Sequence, residues 1–212
     1  MSETPASRSV KIGDDERTGW SSERPRRDGA PARPVDISTR CRILAPTDRM
    51  RYSPGSIVVI VGSAASEPAK FADRVIEERG AVLAPGRVRE LLAGRVPAED
   101  LDARAEELLT AAVTKRLEEG LSVVIPLEGF DAETRERYTR LAHRFRRPRH
   151  LVLLDAARNE IPDDERPALD ELRRGLDAGE AGQEGFQTAM RLGGNARTEL
   201  KRIVFAAPPR DD

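Results

Sequence analysis

Residues that build metal and redox chemistry are nearly missing from this chain: one cysteine and two histidines among 212 residues. A single cysteine, Cys41, excludes an intrachain disulfide, and a reducing compartment is the natural setting for such a chain. Cys41 lies in a charged stretch without a visible activating partner, and His143 and His150 form no metal-ligand set with it. No apolar run approaches the roughly 18 residues of a membrane span, and the first residues lack the apolar core of a secretion signal. A cytoplasmic protein with no membrane partner is therefore expected. An excess of charge of one sign is missing as well. Thirty-six Lys and Arg face 37 Asp and Glu, for a net charge of −1, so no global basic field recruits nucleic acid.

Hydrophobic residues reach 38% and charged residues 34%, the first below and the second above the usual globular share, so part of the chain is expected not to pack. Residues 1–42 fit that description: rich in Ser, Pro, Gly, Arg and Asp, without apolar periodicity, and read as a disordered tail. Trp20 stands alone there, either an incidental exposed aromatic or a docking anchor for a partner. Residues 43–55 read as a linker closed by the turn Pro54-Gly55. The basic run Arg144–His150, "RFRRPRH", reads as a solvated helix end whose cations suit the C-terminal dipole.

From Ser56 onward strands and helices alternate. "SIVVIV" is a continuous β-branched run, the pattern of a strand covered on both faces. "EPAKFADRVIEER" carries Phe71, Val75 and Ile76 on one helical face and stops at Gly80. "AVLA" reads as a second strand and "RVRELLAG" as a short helix. A long helix follows Pro97, with Leu101, Ala105, Leu108 and Ala112 as its stripe. "LSVVIPL" is another buried strand. Asp131 caps a helix with Tyr138, Leu141, Ala142 and Phe145 inward, and "HLVLLD" is a fourth strand. Helices are expected near Ala168–Asp177 and Glu184–Leu192, and "RIVFAA" as a last strand. This order specifies α/β architecture, a three-layer parallel sheet flanked by helices, over residues 56–212. Ligands in that class bind beyond the carboxyl ends of the strands, here Gly62, Ala84, Leu127 and Asp155.

The turn after the first of these strands has the layout of a phosphate loop, G-x-x-x-x-G-K-[ST], whose backbone N–H groups cradle phosphates while lysine and hydroxyl serve the terminal phosphates and Mg²⁺. Counting from Gly62 puts Glu67 at the second glycine, Pro68 at the lysine and Ala69 at the hydroxyl. Glu67 opposes an anion, Pro68 supplies neither an ammonium nor an N–H, and Ala69 cannot ligate a metal. Lys70, two residues on, is rotated by about 200° on a helix. The free N–H groups of Ala64, Ala65 and Ser66 retain a weak capacity for one anion. Read plainly, the segment is a strand, a turn and a helix started by Ser66 and Pro68.

Taken together, Ser56 to Asn159 resembles the P-loop kinases of the polynucleotide-kinase-like, AAA-domain (zeta-toxin-like) type. The elements that carry the likeness are the loop, "AVLAPGRVRELLAG", the long helix before "GLSVVIPLEGFDAETRERYTRLA", and "HLVLLDAARNE". The resemblance implies a P-loop NTPase-like fold, ATP and Mg²⁺ as cofactors and phosphoryl transfer as activity. It also implies Arg89 near the family's arginine and Arg158 at the start of its lid. The departures sit at the chemical positions. Gly86 stands where the family has its acceptor-orienting acid, and Pro126, Glu128 and Gly129 replace its aspartate and Thr-Asn pair. Phosphoryl transfer relies on positioning and charge neutralisation, so losses at three places cost many decades of rate. The expectation is a degenerate kinase-like domain acting as a binding or regulatory module for a protein partner, with cofactor contacts limited to Gly62, Ser63, Ala64, Ala65, Ser66, Lys70 and Arg158. The enzymatic alternative is an ATP-dependent phosphotransferase using Glu128 as its acid, with Lys70, Arg158 or Arg191 in unfamiliar roles. A nucleic-acid partner would use the tail and "RFRRPRH"; the acids interleaved in the tail argue against it.

Overall fold

The computed structural model describes residues 37–45 and 49–207. The strands and helices of the described residues are β1 (Cys41–Ile43), β2 (Arg49–Tyr52), β3 (Ile57–Gly62), α1 (Pro68–Val75), α2 (Pro85–Leu92), α3 (Leu101–Glu118), β4 (Val123–Glu128), α4 (Ala132–Arg144), β5 (Arg149–Asp155), α5 (Arg166–Ala178), β6 (Thr188–Gly193), α6 (Gly194–Glu199) and β7 (Arg202–Phe205). Five strands form one sheet in the order β1-β6-β5-β3-β4, and every pairing in it is parallel. This is the expected α/β class, a parallel sheet flanked by helices.

The apolar runs explain the layering. Ile57, Val59 and Val61 of β3 face a core built with α3, α4 and α5 through residues such as Leu109, Val113, Tyr138 and Leu172. Val58 and Ile60 face the opposite core, with Phe71, Ala72 and Val75 of α1 and with Met50, Tyr52 and Ile203 of a two-stranded parallel sheet, β2-β7. A strand that is buried on both faces has no need of polar alternation, and β3 has none. Connections leave β3 toward β4 on one side and return to β5 on the other. The carboxyl ends of β3 and β5 thus flank a topological switch point, where ligands of such sheets bind.

Several sequence expectations are corrected. Part of the stretch assigned to tail and linker is structured: Cys41–Ile43 adds β1 to the sheet edge beside β6, and Arg49–Tyr52 pairs with β7. Their shortness and charge hid them, because each is half-exposed and held by backbone pairing. Residues 1–36, which include Trp20, lie outside the described residues. "AVLA" contributes a lone bridge, Val82 to Val124, because a tight turn over Arg79–Ala81 uses the residues before it. Helix α1 stops at Val75, before Gly80. The stripe of α3 runs through Ala105, Leu109, Val113 and Leu117, and Leu108 is exposed. The expected helix at Glu184–Leu192 is instead strand β6, whose Ala189 and Leu192 are buried beside β5; pairing a buried neighbour outweighs local helical spacing. "RIVFAA" forms a strand, β7, in the small second sheet rather than the main one.

Candidate functional site

The loop after β3 is folded tightly on itself. The Ser63 and Ser66 hydroxyls lie 3.1 Å apart. The Ser66 N–H donates to the Ser63 carbonyl at 2.9 Å, and the Glu67 N–H to that of Ala64 at 3.0 Å. Two amides that a phosphate would need are therefore spent within the turn. A Cβ added to Gly62 would lie 3.1 Å from the Ser66 Cβ, 3.2 Å from the Leu154 Cβ and 3.4 Å from the Pro68 Cγ, so the space at the strand end is filled by the loop and by β5. Glu67 occupies the left-handed region at φ 47°, uncommon for a residue with a side chain, and Pro68 opens α1 as its first residue.

Lys70 does not reach toward this turn as a free cation. Its ammonium forms an ion pair with Glu67, and both side chains are exposed. The acid in the second-glycine position thus neutralises the nearest cation. These residues do not fit a magnesium triphosphate: the proline lacks an N–H, the alanine after it lacks an oxygen, and the lysine is engaged by its own loop. Among the described residues no group of three or more His, Cys, Asp or Glu side chains could hold a metal ion.

A second polar cluster fills the far side of the switch point. Asp155, at the end of β5, accepts from Arg173 Nε at 2.9 Å and from Arg191 Nη2 at 2.8 Å. Arg173 also donates to the Ala156 carbonyl at 2.9 Å, and Arg191 pairs with Asp177 at 3.0 Å. Burial opposes the charge of Arg191, yet the hydrogen bond and charge of Asp155 hold its pKa above the usual value. The cluster binds α5 to the sheet and has no cation left over, so Arg191 is committed to structure. Arg158 lies at the cluster's exposed margin, 4.0 Å from Asp170, an acid that Arg173 also holds at 3.3 Å.

Open space lies on the other flank of β3. A cavity of about 540 Å³ is enclosed by the start of α1, by α2 and α3, by the end of β4 and by α4. Its floor is apolar, with Ala105, Leu109, Leu127 and Tyr138, and Glu128 stands at its edge. Its arginines are matched: Arg87 with Asp73, Arg89 with Asp102 at 2.6 Å, and Arg137 with Glu106. Asp131 accepts the Thr134 N–H at 2.6 Å as the cap of α4, and hydrogen bonding from the Thr134 side chain first, then from its backbone N–H, holds the Asp131 carboxyl below the usual range. Of the residues named from sequence, the fold brings Lys70, Gly86, Arg89, Pro126 and Glu128 to this cavity and leaves Gly62, Ser63, Ala64, Arg158 and Arg191 outside its lining. Ala65, Ser66 and Lys70 line a smaller recess of about 320 Å³ facing Arg197 and Thr198. Sequence reasoning missed Tyr138 as a cavity residue, having placed it in the core stripe, and missed the Asp155–Arg173 pair because its members are 18 residues apart in unrelated elements.

No family model matches the chain, and no curated protein does. Among solved structures, the chain is similar to the tunicamycin resistance protein of Deinococcus radiodurans, at 18% identity and a TM-score of 0.37, covering 68% of this chain and 91% of that one. It is similar to a candidate kinase of Chloroflexus aurantiacus at 12% identity and a TM-score of 0.40, covering 66% and 88%. A sugar kinase of Janibacter gives 14% identity and a TM-score of 0.33, covering 65% and 84%. Values this low carry nothing about activity. No helix among the described residues is long and apolar enough to cross a membrane.

Proposed function

We propose that this is a degenerate P-loop-kinase-like domain that transfers no phosphoryl group and works as a binding or regulatory module through the cavity above β4. The observation that carries this reading is the Glu67–Lys70 ion pair beside Pro68: the loop's one cation is neutralised by its own acid, and a proline stands where the gripping residue is needed. Phosphoryl transfer depends on neutralising charge on the transferring group, and nothing at this turn supplies it. The cavity, by contrast, has the size and apolar floor of a ligand site, within the usual range of about 300–1,000 Å³.

A phosphotransferase reading is favoured by one observation, the position of Glu128 at the carboxyl end of β4 on the edge of the cavity, where an acid could orient an acceptor hydroxyl. Calorimetry against ATP with and without Mg²⁺ separates the two. The proposed function predicts no Mg²⁺-dependent binding at micromolar concentration. Micromolar, Mg²⁺-dependent affinity that disappears in Lys70→Ala would overturn the non-catalytic reading in favour of the phosphotransferase.

A further inference from the structure

The cavity's charges do not balance once its ion pairs are drawn. Arg87, Arg89 and Arg137 each have a carboxylate partner at the cavity, and Lys70 is held by Glu67. Two lining carboxylates, Glu90 and Glu128, have no ion-pair partner among the described residues. A second feature is independent of the acids. Tyr138 is 3% exposed, its ring forms part of the cavity floor, and its hydroxyl has no hydrogen-bond partner among the described residues. Burial pushes that hydroxyl's pKa up, so it remains a neutral donor and acceptor at any ordinary pH. The hydroxyl is not sealed from solvent, so it meets the cavity as a hydrogen-bonding group that a guest can engage in place of water.

The geometry points to an organic cation as the occupant: an amine on an apolar body, the ammonium at Glu128 and Glu90, the body over Leu109, Leu127 and Ala105, with Tyr138 hydrogen-bonding to a polar atom of the ligand. This rests on the proposed function, whose binding site it specifies. Anionic ligands are disfavoured because the arginines are already matched and the residual charge is negative. Neutral ligands fill the floor but leave the carboxylates without a counter-charge.

Matched probes test it on the full chain. Tryptamine and indole-3-propionate share one ring system and carry opposite charges, and the methyl resonances of Leu109 and Leu127 report occupancy of the cavity by NMR. Tryptamine is expected to shift both methyls saturably while indole-3-propionate does not. Glu128→Gln, at an exposed position that does not threaten folding, is expected to weaken tryptamine binding about tenfold, the usual effect of losing a charged hydrogen bond. Tyr138→Phe is expected to weaken it about threefold, as for a neutral hydrogen bond. The inference is overturned if the carboxylate binds as well as the amine, if neither moves the methyls, or if Glu128→Gln leaves the amine's affinity unchanged. The same samples titrated with MgATP keep the two claims apart. Nucleotide-induced shifts at Gly62–Lys70 would sink the proposed function and leave the amine result standing; a failed amine preference with a silent loop would do the reverse.

Discussion

The two flanks of β3 have gone opposite ways. On the β5 side, polar groups are enclosed and matched: Asp155 between two arginines, and the Ser63 and Ser66 hydroxyls against each other. On the β4 side, Glu128 and the Tyr138 hydroxyl face open space. Both flanks are built on equally apolar strands, so the sheet itself does not dictate the difference. What differs is what the adjoining loops and helices bring. Helix α5 and strand β6 deliver arginines that close the first flank, while α2, without one buried residue, roofs the second through ion pairs at Asp73 and Asp102. Enclosure makes a polar group structural, and openness leaves it available.

That contrast makes measurable demands, the largest at Asp155. Asp155→Ala removes the carboxylate shared by two partly buried guanidiniums, which keep Asp170 and Asp177 as their remaining partners, and losing such charged hydrogen bonds costs about 1.5–3 kcal/mol. Urea unfolding is expected to show a loss of that order; a loss below about 0.5 kcal/mol, the level of ordinary surface substitutions, would mean that the enclosed flank is no more structural than the open one.

A second enclosed group lies at the opposite end of β5. His150 is buried, with Nδ1 2.8 Å from the Thr188 hydroxyl and Nε2 3.3 Å from that of Ser56. The Ser56 hydroxyl donates to the Ser53 carbonyl at 2.7 Å, so Nε2 carries the proton and Nδ1 accepts from Thr188. Burial, and then the charge of Arg149, push the His150 pKa down to about 4. The unfolded chain therefore binds a proton that the folded one refuses. Stability contributed by neutral His150 is whole above pH of about 6.5 and falls as pH drops toward 4, by about 1.4 kcal/mol per unit. Between pH 6.5 and 5 the loss is about 2 kcal/mol, and His150→Gln flattens that slope. An unchanged slope in the variant would assign the acid sensitivity to other groups.

The smallest effect belongs to the open flank. Glu128→Gln is expected to change stability by less than about 0.5 kcal/mol, read in the same urea experiment. A larger loss would mean that Glu128 is tied into the fold, and the contrast between the flanks would disappear.

The layering was legible in the sequence wherever apolar runs were long: β3, β4 and β5 lie where "SIVVIV", "LSVVIPL" and "HLVLLD" place them, and Asp131 caps α4. β1 and β6 were not legible, because their sequences take strand form from the neighbour they pair with. At the site, the missing lysine and hydroxyl could be counted off from Gly62, but the Glu67–Lys70 pair could not, since it depends on the left-handed turn at Glu67. The Asp155 cluster was hidden for a related reason: its arginines come from α5 and β6, which meet only in the folded sheet.

The most direct test of the closed loop is an amide NMR titration with MgATP. The account predicts that the resonances of Gly62 to Lys70 stay in place as the nucleotide is raised through the micromolar range. Saturable, Mg²⁺-dependent shifts concentrated on those residues would contradict it.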